Sequence, residues 1–123
     1  VRYNVAHHDP HPEGRTVILC QFIFQPGEYD DDFRRLDGEI DAYARSLPGF
    51  LDVEVWYSED KKVVNASYYF EDRDAVRSLS RFPQHREAKG QYQRWYDAYQ
   101  IVVSEISASY GDMRLSHVTQ AAD

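Results

Sequence analysis

Residues 15–25, RTVILCQFIFQ, are apolar on both sides of an extended chain, and this constrains the fold more than any other stretch. Alternation puts Val17, Leu19 and Ile23 on one side and Ile18, Cys20, Phe22 and Phe24 on the other. A strand of that kind needs cover on both faces. One layer of helices supplies one cover, so something else must supply the second.

The elements that follow set the architecture. Pro26-Gly27 breaks the first strand. The spacing of Phe33, Leu36, Ile40, Tyr43, Ala44 and Leu47 predicts a helix over 28–47, with Asp30, Asp31 and Asp32 at its electropositive start. Pro48-Gly49 ends it. Residues 50–57 and 63–70 read as two antiparallel strands joined by the polar loop Ser58–Lys62. Asp72 is placed to cap a short helix through Leu79. Pro83 opens a further helix over 83–95, and a last strand is expected near 99–107. The order β-α-β-β-α-β predicts an α+β, ferredoxin-like sandwich with a four-stranded antiparallel sheet and helices on one face. Pairing two such sheets through their open faces, as a homodimeric α/β barrel, is the simplest way to cover the second side of the first strand.

The expected domain covers 15–110, between an arm at 1–14 and a polar tail at 111–123, loose or wrapped on a partner. The arm holds His7, His8 and His11 among prolines, a spacing that matches no standard metal site. Net charge is −7, which argues against nucleic acid or an anionic membrane as partner. No apolar run is long enough for a membrane span and no secretory leader pattern is visible, so a cytoplasmic setting is the expectation. The single cysteine, Cys20, sits in an apolar run and reads as a buried, inert thiol.

Ten Tyr, six Phe and two Trp are a large share of 123 residues. They build either a core and dimer seam or a pocket for a small aromatic ligand. His85 stands at the start of a helix, where a neutral imidazole able to take a proton is expected; the alternative is a packing histidine. Asn65, mid-strand where Asn is unfavourable, would either orient a substrate or stand at the dimer seam. Tyr69 shares its face. Tyr92, Trp95, Tyr96 and Tyr99 recur at helical steps as pocket walls or as core, and Trp56 closes a pocket or packs the hairpin. No glycine-rich nucleotide loop, C-x-x-C, H-E-x-x-H or G-x-S-x-G occurs.

A set of short matches runs through the chain: P-G-F at 48–50, V-V-N at 63–65, E-D-R-D-A-V at 71–76, P-x-H at 83–85 and A-K-G-x-Y-x-x-W-Y at 88–96. Over roughly 15–110 the chain resembles the antibiotic-biosynthesis-monooxygenase family of dimeric α+β barrels. That resemblance implies a homodimer with one pocket per subunit, between sheet and helices. It also implies a cofactor-independent oxygenase, acting on an aromatic or polyketide-like molecule of secondary metabolism such as antibiotic biosynthesis. Some members oxidise phenolic polycycles to quinones with oxygen alone, using an Asn on the third strand and a Trp at its end. Here Asn65 stands at the first position and Phe70, beside Tyr69, at the second. Haem-degrading members use an Asn, a Trp and a His whose counterparts here are Cys20, Leu79 and His85, so a haem role with His85 as ligand is the less favoured alternative. A non-catalytic dimeric binding module is the other. The catalytic candidates are His85, Asn65 and Tyr69, with Trp56, Phe70, Tyr92, Trp95 and Phe22 as substrate walls and no cofactor or metal.

Overall fold

The computed structural model describes residues 16–120; the expected arm and its histidines lie outside them. The chain runs β1 (Val17–Pro26), α1 (Asp31–Ser46), β2 (Phe50–Tyr57), β3 (Val64–Phe70), α2 (Arg73–Arg81), α3 (Pro83–Gly90), a 3₁₀ turn (Tyr92–Arg94) and β4 (Tyr96–Ile106). The four strands form one antiparallel sheet in the order β2-β3-β1-β4. This is the expected ferredoxin-like α+β fold.

Local chemistry explains the helix starts. The Asp30 carboxylate accepts from the Phe33 backbone N–H at 2.8 Å and caps α1. Asp72 does the same for α2, accepting from the Ala75 N–H at 3.0 Å. Pro83 opens α3, where the missing N–H costs nothing.

The helix expected over 83–95 is shorter: it stops at Gly90 and tightens into the 3₁₀ turn, and β4 begins at Tyr96. Asp30 accounts for the break. It accepts from the Trp95 indole Nε1–H at 2.9 Å and from Arg94 at 2.8 Å, pulling both residues back onto the start of α1. Gly27 lies against the same corner, its N–H donating to the Trp95 carbonyl at 2.7 Å. A Cβ there would stand 3.0 Å from that oxygen, so any other residue would push the corner apart by a few tenths of an ångström.

The two sheet faces differ. Toward the helices, the paired rows are Phe50-Phe70-Ile18-Glu105, Val53-Tyr68-Cys20-Val103, Val55-Ala66-Phe22-Ile101 and Tyr57-Val64-Phe24-Tyr99. Ile18, Phe70 and Ala75 form the buried centre, with Cys20, Leu47, Phe50, Tyr68, Val76 and Leu79 packed on it. The opposite face carries Asp52-Tyr69-Leu19-Ser104, Glu54-Ser67-Gln21-Val102 and Trp56-Asn65-Ile23-Gln100. Two apolar faces therefore describe β1 but not its neighbours, which are polar on this side.

Part of that second face is covered by the chain itself. Beyond β4 the tail turns back as a strap: His117 lies 3.4 Å from the Tyr69 hydroxyl and 3.3 Å from Glu54. The His117 Nδ1 meets the Thr119 hydroxyl at 2.7 Å, and Thr119 in turn meets Ser109. Thr119, Ser67 and Tyr69 are all buried. The tail expected to be loose or wrapped on a partner thus folds, through Gln120, onto its own sheet.

Candidate functional site

The sequence-derived candidates divide between the two faces. Asn65, Tyr69 and Trp56 lie on the face opposite the helices, where Trp56 pairs directly with Asn65. The Asn65 Oδ1 accepts from Ser67 at 3.0 Å, and the Tyr69 hydroxyl donates to Glu54 at 2.7 Å. Burial, and that bond to a carboxylate, push the Tyr69 pKa up, so it stays a neutral donor. Phe22 and Phe70 point to the helix side, Phe70 fully buried. Tyr92, in the 3₁₀ turn, meets the Tyr99 ring edge-on at 4.8 Å. Trp95 is 1% exposed and hydrogen-bonded to Asp30, a corner of the core rather than a free wall.

His85 stands in the first turn of α3, on the helix side. Its Nδ1 is buried without a partner. Burial, then the Lys89 ammonium, lower its pKa and keep the ring neutral. The structure therefore does not bring His85 together with Asn65 and Tyr69: the sheet lies between them.

A different set of groups converges between the sheet and α1. Tyr68 donates its hydroxyl to Asp41 at 3.2 Å. Its pKa is pushed up by burial first, then by the Asp41 charge and bond and by Asp37. Tyr96 is pushed up by burial, then by Tyr29, Asp37 and Tyr68. Asp37 itself is raised, by partial desolvation and then by its neighbour Asp41, although the residue is exposed at the surface. Tyr29 is raised by burial and the Asp37 charge. Asp37 and Asp41 are one helical turn apart beside the stripe of Phe33, Ile40 and Ala44, so both edge into the space over β3.

Aromatic rings pack beside these groups. Phe22 and Phe24 stack at 4.7 Å, and both meet Tyr96 edge-on at about 5 Å. Tyr29 stacks on Phe33 at 3.9 Å and reaches Tyr96 at 6.1 Å. Tyr96 and Tyr99, an odd number of residues apart, both reach Phe22 because a register shift at Gln25/Pro26 intervenes. On the β2 side the helices leave Val55 and Tyr57 uncovered, at 49% and 63% exposure, with Tyr57 in electrostatic reach of Tyr29.

Chemically, the cluster places a carboxyl with an elevated pKa among phenol groups that hold their protons. Asp37 suits a proton acceptor for a weak organic acid, and Tyr96, whose hydroxyl makes no hydrogen bond among the described residues, suits a donor to a developing oxyanion. Sequence reading passed over these residues. Tyr96 falls between the expected helix over 83–95 and the expected strand near 99–107, and no role falls there to Asp37 or Asp41. Their spacing of four, next to an apolar stripe and a Tyr-bearing strand, was the available signal.

Among the described residues no group of three or more His, Cys, Asp or Glu is arranged to hold a metal ion. None of the described helices is long and apolar enough to cross a membrane.

No family model and no curated protein matches the chain. Solved structures do. SnoaB, a cofactor-independent oxygenase from Streptomyces nogalater, is similar at 13% identity and TM-score 0.57, over 82% of this chain and 100% of that one. A Caulobacter crescentus protein, provisionally assigned as an antibiotic biosynthesis monooxygenase, is 13% identical with TM-score 0.59, over 78% of this chain and 92% of that one. A dabb family protein with a ferredoxin-like fold from Mesorhizobium loti is 12% identical with TM-score 0.53, over 73% of this chain and 96% of that one. These likenesses establish the shared fold, which is the one the resemblance implied.

Proposed function

We propose that this chain is a small oxygenase that uses no added cofactor and oxidises a phenolic, polycyclic small molecule held between the sheet and α1. The observation that carries the reading is the meeting of Asp37 and Asp41 with Tyr68, Tyr96 and Tyr29 beside packed aromatic rings, with Tyr57 left uncovered. The fold it shares with SnoaB supports the same reading.

A flat substrate would stack among Phe22, Tyr96 and Tyr57. Asp37 would take the proton whose loss makes the ring system electron-rich. The resulting anion passes an electron to dioxygen, and the two radicals combine at the ring carbon. Loss of water leaves a carbonyl: a ring CH2 plus O2 becomes C=O plus H2O. The protein's share is to bind, deprotonate and shield. Tyr96 would donate to the oxygen that gathers charge. Asn65 and Tyr69, on the other face, would then serve the seam of a homodimer or the strap rather than this reaction.

The test is oxygen uptake with a phenolic tricyclic substrate bearing a ring CH2. Asp37→Asn in a folded protein is expected to slow turnover by about 10²–10⁴-fold, the span of general-base catalysis. Tyr96→Phe is expected to slow it less. Wild-type rates in both variants would remove this site from the reaction.

A further inference from the structure

We infer that the groove between the end of α2 and the outer side of α3 binds a small oxyanion, a phosphate or carboxylate group of a free metabolite. This site is separate from the one proposed for oxidation. The groove encloses about 360 Å³ and is lined by Ser80, His85, Arg86, Lys89 and Gly90. It combines two cations, a hydroxyl and an imidazole, with no carboxylate in its lining.

Charge bookkeeping makes that combination unusual for this chain. The protein carries a formal charge of −7, and its arginines are mostly engaged by acids. Of the nine from Arg34 to Arg114, seven form ion pairs among the described residues. The two that form none are Arg81 and Arg86, at the end of α2 and the start of α3. Lys89 forms none either. The nearest acid in sequence, Glu87, is held by Arg35 at 3.0 Å. In a chain with a surplus of carboxylates, positive charge left unanswered around a concave surface fits an anion from outside.

His85 adds direction. Its Nδ1 has neither accessible surface nor a partner, so the ring meets the groove by its other edge. Putting the proton on Nε2 leaves the buried nitrogen as a bare acceptor, a smaller loss than an orphaned N–H. That tautomer offers a donor to the groove. Lys89 disfavours a second proton on the ring. A bound anion offsets that repulsion and moves the His85 titration upward. Lys89, on the same helix, acts on the ring, Arg86 shares the groove and Ser80 faces from α2; α1, which also packs on α3, brings Arg35, paired with Glu39 and Glu87.

The experiment is calorimetric titration of the full chain with inorganic phosphate and, separately, with benzoate, alongside NMR titration of the His85 ring. One-site binding of either anion is expected, weakened at least about tenfold by Arg86→Gln and by Lys89→Gln. The His85 midpoint should rise with the anion present in the wild type and stay in place in Arg86→Gln. Phosphate binding alone identifies a phosphate site, benzoate binding alone a carboxylate site, and either supports the proposal. No binding of either up to about 10 mM, or equal affinity in both variants, overturns it. Oxygen uptake is read in the same samples: Arg86→Gln leaves it intact if the two sites are separate, so failure here is distinguishable from failure of the oxidation site.

Discussion

Gly49 offers a direct check on the packing that positions α2 against the sheet. A Cβ at this position would stand 2.9 Å from the Ala75 Cβ and 3.6 Å from the Asp72 carboxylate. Carbon atoms in good contact sit about 3.5–4.0 Å apart, so one partner must retreat by most of an ångström. Neither can do so freely. Ala75 has no rotatable side chain and belongs to the buried centre with Ile18 and Phe70. The start of α2 is tied by the Asp72 cap and by the Glu71 N–H donating to the Gly49 carbonyl at 2.7 Å. Gly49→Ala should therefore cost about 1–3 kcal/mol, the range for overpacking. In a chain of 123 residues that is a fall in Tm of about 4 °C per kcal/mol. Thermal unfolding by circular dichroism reads it. Ala75→Gly alone should cost up to about 1 kcal/mol as a helix substitution. The two together should recover much of the loss, with a coupling of at least about 1 kcal/mol. Strict additivity of the two changes, or no fall in Tm for Gly49→Ala, would refute the contact.

Two further outcomes follow from the polar clusters. Partial desolvation raises the Asp37 pKa above the 3.8 of a free aspartate, so the folded state prefers the protonated form and loses stability as pH rises through that raised value. Asp37→Asn should therefore melt slightly higher than the wild type at pH 7, by no more than about 2 °C given the exposure of the group, and the gap should close at pH 3; thermal melts at the two pH values check the sign. His117→Ala should release the strap, because His117 is its link to Tyr69 and Glu54. Trypsin should then cut after the exposed Arg114 several times faster, with the Tm of the sheet little changed; an unchanged cleavage rate would mean that the strap is held elsewhere.

The sequence disclosed what local rules control. Alternation in β1, the Asp72 cap, the hairpin at Ser58–Lys62 and the breaks at Pro26 and Pro48 gave the order of elements and, through it, the sheet. It misled where a distant group overrides a local pattern. Tyr92, Trp95 and Tyr96 fall at helical steps, yet the Asp30 hydrogen bonds end the helix early and the strand begins at Tyr96 instead of 99. The strap carries no periodicity at all; it is held by His117 and Thr119, whose partners lie up to 63 residues away at Glu54. On β2 the register shift between Phe50 and Asp52 breaks simple alternation and puts Phe50 on the helix side with Val53, Val55 and Tyr57; which face of β3 looks at the helices depends on the whole sheet. For that reason Tyr68, rather than Tyr69, faces the α1 carboxylates.

That assignment bears on what the aromatic excess is for. The helix-side rows are apolar across the strands except at Glu105, but the helices bury only the middle columns, β3 and β1. The outer columns stay open: Val55 and Tyr57 on β2, Tyr99, Ile101 and Val103 on β4. The opposite face has less apolar surface to hide, and its Tyr69 end is already under the strap. Its remaining apolar groups, Ile23, Trp56 and Val102, surround Asn65, Gln21 and Gln100. A partner subunit docking there would meet a mixed, hydrated seam centred on the Trp56-Asn65 pair. The need for an apolar cover is therefore greater on the helix side than at the seam. Beside α1 that cover has to tolerate carboxylates at its rim, which a flat ring system bearing an ionisable hydroxyl does and an aliphatic partner surface does not.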